Sequence, residues 1–382
     1  MIYLDNAATS FPKAPGVGEA MQYYVNQIGV NINRSVYGPA QEAGLETLEL
    51  REKLSAFFGH DDPNRVLLTA GATAALNLAI KGYLHPGDHV LVSSMEHNAV
   101  MRPLVQMGID FDRVPCDREG FLLIEKIREL IRPNTRLFVL CHGSNVCGSI
   151  QNAKAVGELC KLHSIPLVLD AAQTGGHIPI DFYALGLSAL AIPGHKGLLG
   201  PQGIGALLVS KDFARDLNPI IAGGTGSMSD SEELPPYLPD RFESGTQNLP
   251  GIYGWSKAMD YVNRSMEERR EREEYLTALF LRGVEALNED SLPKVLLLGT
   301  KDLSRRVGVI ALDFPGRDNA EVADTLEQSY GILTRCGLHC APSAHKTLGT
   351  FPRGVVRFSV GHRTTEADIE KTLAAIREII NS

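Results

Sequence analysis

Between Ile165 and Gly205 the chain reads IPLVLDAAQTGGHIPIDFYALGLSALAIPGHKGLLGPQGIG, and no other stretch limits the fold as strongly. It holds two apolar runs, Ile165–Leu169 and Leu187–Ile192, each too short for a typical helix. An apolar run of about five residues between breakers predicts a strand buried on both faces, as in a parallel sheet. The first run ends in Asp170 and the second in Pro193-Gly194-His195-Lys196. Open α/β sheets collect their ligands at the carboxyl ends of such strands. An acid and a lysine are therefore expected on the same edge of one sheet.

A lysine in that place can form a Schiff base, and a carboxylate can pair with a pyridinium nitrogen. Pyridoxal 5'-phosphate requires both groups. Each residue also suits a plainer part: Asp170 as a cap for the following segment, Lys196 as a surface residue in a turn. Gly194, Gly197, Gly200, Gly203 and Gly205 crowd around the lysine. That density suggests backbone that turns sharply or approaches a ligand closely.

The rest of the first half repeats the pattern of strand, polar tip and helix. RVLLTAGATAALNLAIKGYL gives a strand, a small-residue turn at Gly71-Ala72-Thr73 and an apolar helix, whose start can bind an anion or simply pack tightly. HVLVSSMEHNAV ends a strand in Glu96, His97 and Asn98, and His97 there can stack on a ring and shuttle protons. TRLFVLCHGSNVCGSI places Ser144, Asn145 and Gly148 after a third strand. Asn145 suits a ring oxygen or ordinary turn chemistry. Strands alternating with helices to about residue 210 predict a mostly parallel sheet covered on both faces. GIGALLVS follows the lysine turn too closely for a helical crossover, so it is expected to run antiparallel. Earlier, Leu45, Leu48, Leu54 and Phe58 recur at helical spacing.

After Ile221 a polar segment rich in Gly, Ser and Pro leads to a long helix, expected from about Trp255 to Leu287. A smaller α+β unit follows, with strands in RVGVIALDF and GVVRFSV, and Thr365 with Asp368 resembles a capping box on its last helix. The expected organisation is an arm over 1–15 packing with the small domain, a large domain over 16–254 and a small domain over 255–382.

Composition closes off other classes. A net charge of −8 without a basic stripe argues against nucleic acid. No apolar run approaches the roughly 20 residues that span a bilayer. MIYLDNAATSFPK lacks the regions of a signal peptide, and the six cysteines read as thiols, so a cytoplasmic protein is expected. No G-x-G-x-x-G follows the first strand and no P-loop lysine motif occurs, which sets aside a nucleotide-binding Rossmann enzyme.

The second informative stretch is ILTRCGLHCAPSAH, Ile332–His345. Cys336 and Cys340, separated by three residues, lie near His339 and His345. No second CxxC pair completes a four-ligand zinc set, and no metal is expected. Cys340 suits a small buried hydrophobe or a nucleophile whose thiolate Arg335 and His339 favour by positive charge. Arg357 on the next strand can bind a carboxylate bidentately.

YLDNAAT (Tyr3–Thr9), GAT (Gly71–Thr73), EHNA (Glu96–Ala99), SNVCG (Ser144–Gly148), DAAQ (Asp170–Gln173), GHK (Gly194–Lys196), FESGT (Phe242–Thr246) and RCGLHCAP (Arg335–Pro342) occur in this order. Together they resemble the cysteine desulfurase and selenocysteine lyase group of the class V aminotransferases, over essentially the whole chain. That resemblance implies PLP fold type I: a large domain with a mostly parallel seven-stranded sheet and a smaller α+β domain. It implies a homodimer that converts L-cysteine to L-alanine and hands sulfur to an acceptor protein. Lys196 is then the Schiff-base lysine, Asp170 the partner of the pyridine nitrogen and His97 the stacking residue that shares proton transfer. Asn145 and Gln173 contact the ring oxygen. Ala72, Thr73 and His195 hold the phosphate, with Thr246 reaching in from a second subunit. Arg357, with Arg335 and Asn33, contacts substrate, and Cys340 attacks the substrate sulfur to become a persulfide. R-x-G-x-H-C-A resembles the branch with a short active-site segment. Pro193 stands where relatives often carry a phosphate-binding hydroxyl, Ala72 replaces a common Thr, and Asn33 replaces a common His. L-Selenocysteine as substrate, or another PLP-dependent transamination or β-elimination, are the alternatives; a non-catalytic sulfur-trafficking scaffold is disfavoured because Lys196, Asp170 and Cys340 are all present.

Overall fold

The computed structural model describes residues 1–32, 37–288 and 294–382, which leaves Asn33 outside the described residues. Its strands in chain order begin with β1 (Ile2–Tyr3), β2 (Val66–Thr69), β3 (His89–Ser93), β4 (Asp110–Val114), β5 (Thr135–Cys141), β6 (Leu167–Asp170) and β7 (Ala189–Pro193). They continue with β8 (Gly205–Val209), β9 (Leu296–Leu298), β10 (Val309–Asp313), β11 (Ile332–Leu333), β12 (Arg335–Gly337) and β13 (Val355–Ser359).

The expected seven-stranded sheet is present, in the order β2-β8-β7-β6-β5-β3-β4. Only β8 runs against its neighbours, as the short lysine turn requires. Alternation along each strand explains why the apolar runs are continuous. Leu167, Leu169, Leu190 and Ile192 join the core on one face, while Val168, Ala189 and Ala191 join the core on the other. Every residue of β6 and β7 is buried. The edge strand β4 escapes a hydrophobicity reading because its sequence, DFDRV, is charged. Arg132 bonds Asp110 and Asp112 along that exposed edge.

One glycine shows how tightly the cavity end of this sheet is built. A Cβ on Gly205 would lie 2.6 Å from both Gly71 Cα and Ile192 O. Gly205→Ala is expected to destabilise the protein by about 1–3 kcal/mol, the usual cost of overpacking, as a lower midpoint in urea unfolding.

A four-stranded sheet, β12-β13-β10-β9, forms the C-terminal layer around its own apolar core. The arm belongs to this layer: β1 pairs parallel with β11, and Asp5 bridges Ser359. A single helix, Leu249–Ala286, connects the two layers. It begins before the expected Trp255 because Asn248 caps it, accepting the Gly251 N–H at 3.1 Å. The Thr365–Asp368 capping box is formed at the last helix. The helix Gly38–Phe57 occupies the predicted place, but only part of its apolar set faces inward. Leu54 and the following Phe58 are fully buried, whereas Leu45 and Leu48 are 68% and 40% exposed. Among the described residues no helix is long and apolar enough to cross a membrane.

Candidate active site

Because β2, β3, β5, β6 and β7 are parallel, their carboxyl ends share one edge, and a cavity of about 420 Å³ opens there. Ala72, Thr73, His97, Cys141, Asn145, Asp170, Gln173, Pro193, His195 and Lys196 line it. Seven expected cofactor contacts besides Lys196 thus arrive in one cavity from five strand ends.

Asp170 and Lys196 face each other electrostatically. Asp170 is buried, with Oδ1 accepting the Ala172 N–H at 2.9 Å. Burial raises its pKa, against the pull of that N–H and of the Lys196 charge. Burial brings the Lys196 ammonium down to about 8; Asp170 opposes this while Arg357 and Arg335 add to it. About a tenth of Lys196 is then neutral amine at pH ~7, far more than for an ordinary lysine.

His97 is the N-cap of the helix Asn98–Met107, and its Nδ1 accepts the Ala99 N–H at 3.0 Å. A neutral ring so engaged carries its proton on Nε2. Burial, with Lys196, Arg335, Arg102 and Arg357 nearby, holds its pKa at about 4. Behind it Glu96 is fully buried. It takes Ser93 O–H at 2.5 Å and Cys141 N–H at 2.8 Å, and burial pushes its pKa up to about 8. Glu96 thereby ties the ends of β3 and β5 together beneath the cavity.

At the end of the cavity formed by Gly71, Ala72 and Thr73, the helix Ala72–Tyr83 starts without a side-chain cap. Its N-cap, Gly71, sits at φ 148°, which favours glycine. Pro193 is buried in the wall and offers no N–H donor, as its sequence implies. Gln173 donates through Nε2 to Ala7 O at 3.0 Å, tying the arm to the cavity.

The C-terminal layer brings Cys340 to the same edge. Its carbonyl accepts the Asn98 N–H at 2.8 Å, and Asn145 Nδ2 donates to His339 O at 2.6 Å. His339 and Cys340 both adopt left-handed backbone, at φ 47° and 58°, which places the Cys340 side chain in solvent while His339 is buried. Arg335 Nη2 lies 3.8 Å from Cys340 Sγ. His339 departs from expectation: burial drives its pKa far down, and among the described residues neither ring nitrogen makes a hydrogen bond of good geometry. It lends no positive charge to the thiol; the charged group in contact with Cys340 Sγ is Arg335. Cys336, half-buried in β12, has its thiol pushed up by burial.

Arg357 is 1% exposed on β13. Its Nη1 donates to Asn145 O at 3.0 Å, its Nη2 to Asp5 at 2.6 Å, and Nε has no partner among the described residues. Asp5 is a site residue that sequence reasoning missed, although it lies inside the YLDNAAT motif. Thr246 is not in this cavity. It lines an adjacent one of about 430 Å³ with Ile220, Ile221 and Phe242. Among the described residues no cluster of His, Cys, Asp and Glu could hold a metal ion.

The aminotransferase class-V profile matches residues 2–372, and the chain belongs to that family. A probable cysteine desulfurase of Methanothermobacter thermautotrophicus is 30% identical, over 99% of this chain and 94% of its own. Among solved structures, the apo cysteine desulfurase of Thermococcus onnurineus superposes with a TM-score of 0.91 at 29% identity, covering 100% of this chain and 94% of that one. The cysteine desulfurase CsdA of Escherichia coli superposes at 0.85 with 26% identity, covering 99% and 94%. Within the class V family, the chain falls in the cysteine desulfurase group.

Proposed function

We propose that the protein is a pyridoxal 5'-phosphate-dependent cysteine desulfurase, active as a homodimer, that converts L-cysteine to L-alanine and carries the sulfur away on Cys340. The observation that carries the reading is the docking of an exposed thiol, through Asn98 and Asn145, onto an edge already holding Lys196, Asp170 and His97.

The described residues fit the cofactor. Asp170 is a buried carboxylate that accepts, among the described residues, a single backbone N–H, so a protonated ring nitrogen would complete its surroundings. Asn145 spends one Nδ2 hydrogen on His339 O, and its second Nδ2 hydrogen remains available for a ring oxygen. The uncapped first turn at Ala72 and Thr73 suits a phosphate. Lys196 and Asp170 would hold the aldehyde and nitrogen ends, His97 the ring face, Asn145 and Gln173 the ring oxygen. Ala72, Thr73 and His195 would hold the phosphate, with Thr246 from a second copy. When bound, the cofactor supplies a carbonyl for the substrate amine and a sink for negative charge at the substrate α-carbon.

The chain's own residues then divide the work. Lys196, partly neutral, moves the α-proton. His97 has Nδ1 committed to Ala99, so its role is stacking and Nε2–H donation rather than proton abstraction. The Cys340 thiolate, beside Arg335, forms an S–S bond to the substrate sulfur as the substrate C–S bond breaks. The electron pair of that bond stays with carbon, which is protonated to give L-alanine. Arg357, steadied by Asp5, retains Nε and unused Nη hydrogens for the substrate carboxylate. Arg357→Lys is expected to raise KM for L-cysteine about 10- to 100-fold while the cofactor still binds, as initial rates against substrate concentration would reveal.

Homodimerisation is supported by Thr246 lining a second cavity beside exposed Ile220 and Ile221, and by the outward-facing Leu45 and Leu48. An acceptor protein is supported by the exposure of Cys340, and a reducing, cytoplasmic setting by six unpaired cysteines. The test is incubation of the yellow protein with L-cysteine and reductant. Equal yields of sulfide and alanine support the reading. Alanine and selenide from L-selenocysteine alone would replace it with selenocysteine lyase activity, and keto-acid formation would replace it with transamination.

A further inference from the structure

Lys13 sits half-buried beside the anion-binding end of the cavity, and among the described residues no carboxylate pairs with it. Its ammonium donates to Thr9 Oγ1 at 2.9 Å and to His195 O at 3.1 Å. A longer contact of 3.4 Å reaches Ser10 Oγ. Thr9 Oγ1 in turn lies 3.0 Å from His195 Nδ1 and 3.2 Å from His195 O.

The hydroxyl proton of Thr9 has two acceptors to choose from, and the surroundings decide between them. His195 O already receives Ser10 N–H at 3.0 Å, Ser10 O–H at 3.0 Å and Lys13 at 3.1 Å, which exhausts a carbonyl's two lone pairs. Nδ1 is the closer and the emptier acceptor. Lys13 occupies a lone pair of Thr9 Oγ1, and a hydroxyl that accepts from a cation becomes a stronger donor. The proton of Thr9 therefore goes to Nδ1, and the ring proton of His195 sits on Nε2. The imidazole lines the cavity and Nε2 has no partner among the described residues.

We infer that Lys13, acting through Thr9, is a positioning residue that fixes His195 as a neutral Nε2–H donor toward the phosphate end of the cofactor. The chain Lys13–Thr9–His195 presents one positive charge to an anion without placing an imidazolium beside Lys196. Independently, burial with Lys196 and Lys13 keeps the His195 pKa at about 4, which agrees with a neutral ring. The inference rests on the reading of the cavity as a pyridoxal-phosphate site.

The test compares equilibrium binding of pyridoxal 5'-phosphate with that of pyridoxal, which lacks only the phosphate, to apo wild type, Lys13→Met, Thr9→Val and Thr9→Ser. The full-length protein is used throughout, and binding is followed by the absorbance of the bound aldehyde. Lys13→Met and Thr9→Val are expected to weaken the phosphorylated cofactor about tenfold or more, the scale of one charge-assisted hydrogen bond, while pyridoxal changes less than about twofold. Thr9→Ser keeps the hydroxyl and is expected to bind as wild type does. The double variant Lys13→Met/Thr9→Val is expected to lose no more than the worse single one, because both cut one chain. Equal weakening of both ligands, or wild-type affinity in Thr9→Val, would overturn the inference and leave the site reading intact. Failure of wild type itself to bind either ligand would overturn both.

Discussion

Lys196→Ala is expected to lower L-cysteine desulfuration by at least about 10⁴-fold, because one side chain serves both as the amine that anchors the cofactor and as the carrier of the α-proton. Sulfide and alanine should fall together, and the absorbance of the bound cofactor should change shape. Loss of sulfide with retained alanine would refute the assignment. The same lysine gives a pH signature. Only the neutral amine attacks an aldehyde, and burial brings this ammonium down to about 8. Cofactor uptake by the apo protein should therefore rise from pH ~6.5, through 8, and level off near pH ~9, whereas an ordinary lysine would keep gaining up to about 10.4. A rate still climbing above pH ~10 would show that Lys196 is unperturbed.

Cys340→Ser is expected to remove persulfide formation altogether and to cut sulfide release by roughly 10²–10⁴-fold, with cofactor affinity unchanged. A hydroxyl has almost no anionic form near neutral pH and cannot form the S–S bond. Mass spectrometry after L-cysteine treatment should find one extra sulfur on residue 340 in wild type and none in the variant. Full sulfide release from Cys340→Ser would sink the nucleophile assignment. Arg335→Ala tests the same centre more gently. With the neighbouring guanidinium 3.8 Å from Sγ removed, alkylation of Cys340 at neutral pH should slow severalfold.

How much of this was legible in the chain follows from what determines each residue's place. Asp170 and Lys196 were legible because each terminates a run buried on both faces, and parallel strands deliver their ends to one edge. The antiparallel turn of β8 was legible from the shortness of its connection. The edge strand β4 was not, because a charged edge carries no apolar period. Leu45 and Leu48 mark another limit: helical spacing tells which residues share a face, not which face meets the core. The pairing of Arg357 with Asp5 joins residues 352 apart, and that of His195 with Thr9 spans 186. Such contacts depend on the residue-by-residue register of the arm, which local pattern does not give even where the arm is expected to pack with the small domain. The burial of His339 was hidden because it depends on contacts distant in sequence, such as that of its carbonyl with Asn145.

The helix Asn98–Met107 begins with His97 against the cofactor cavity and Asn98 against the carbonyl of Cys340. Consecutive residues thus act as a common datum for two parts of the molecule that the chain separates by more than two hundred positions. Transplanting residues 335–345 onto another scaffold would move the thiol without its gauge. A redesign that hopes to retarget sulfur delivery must carry the start of this helix along with the cysteine, or the thiol will lose its alignment with the site it serves.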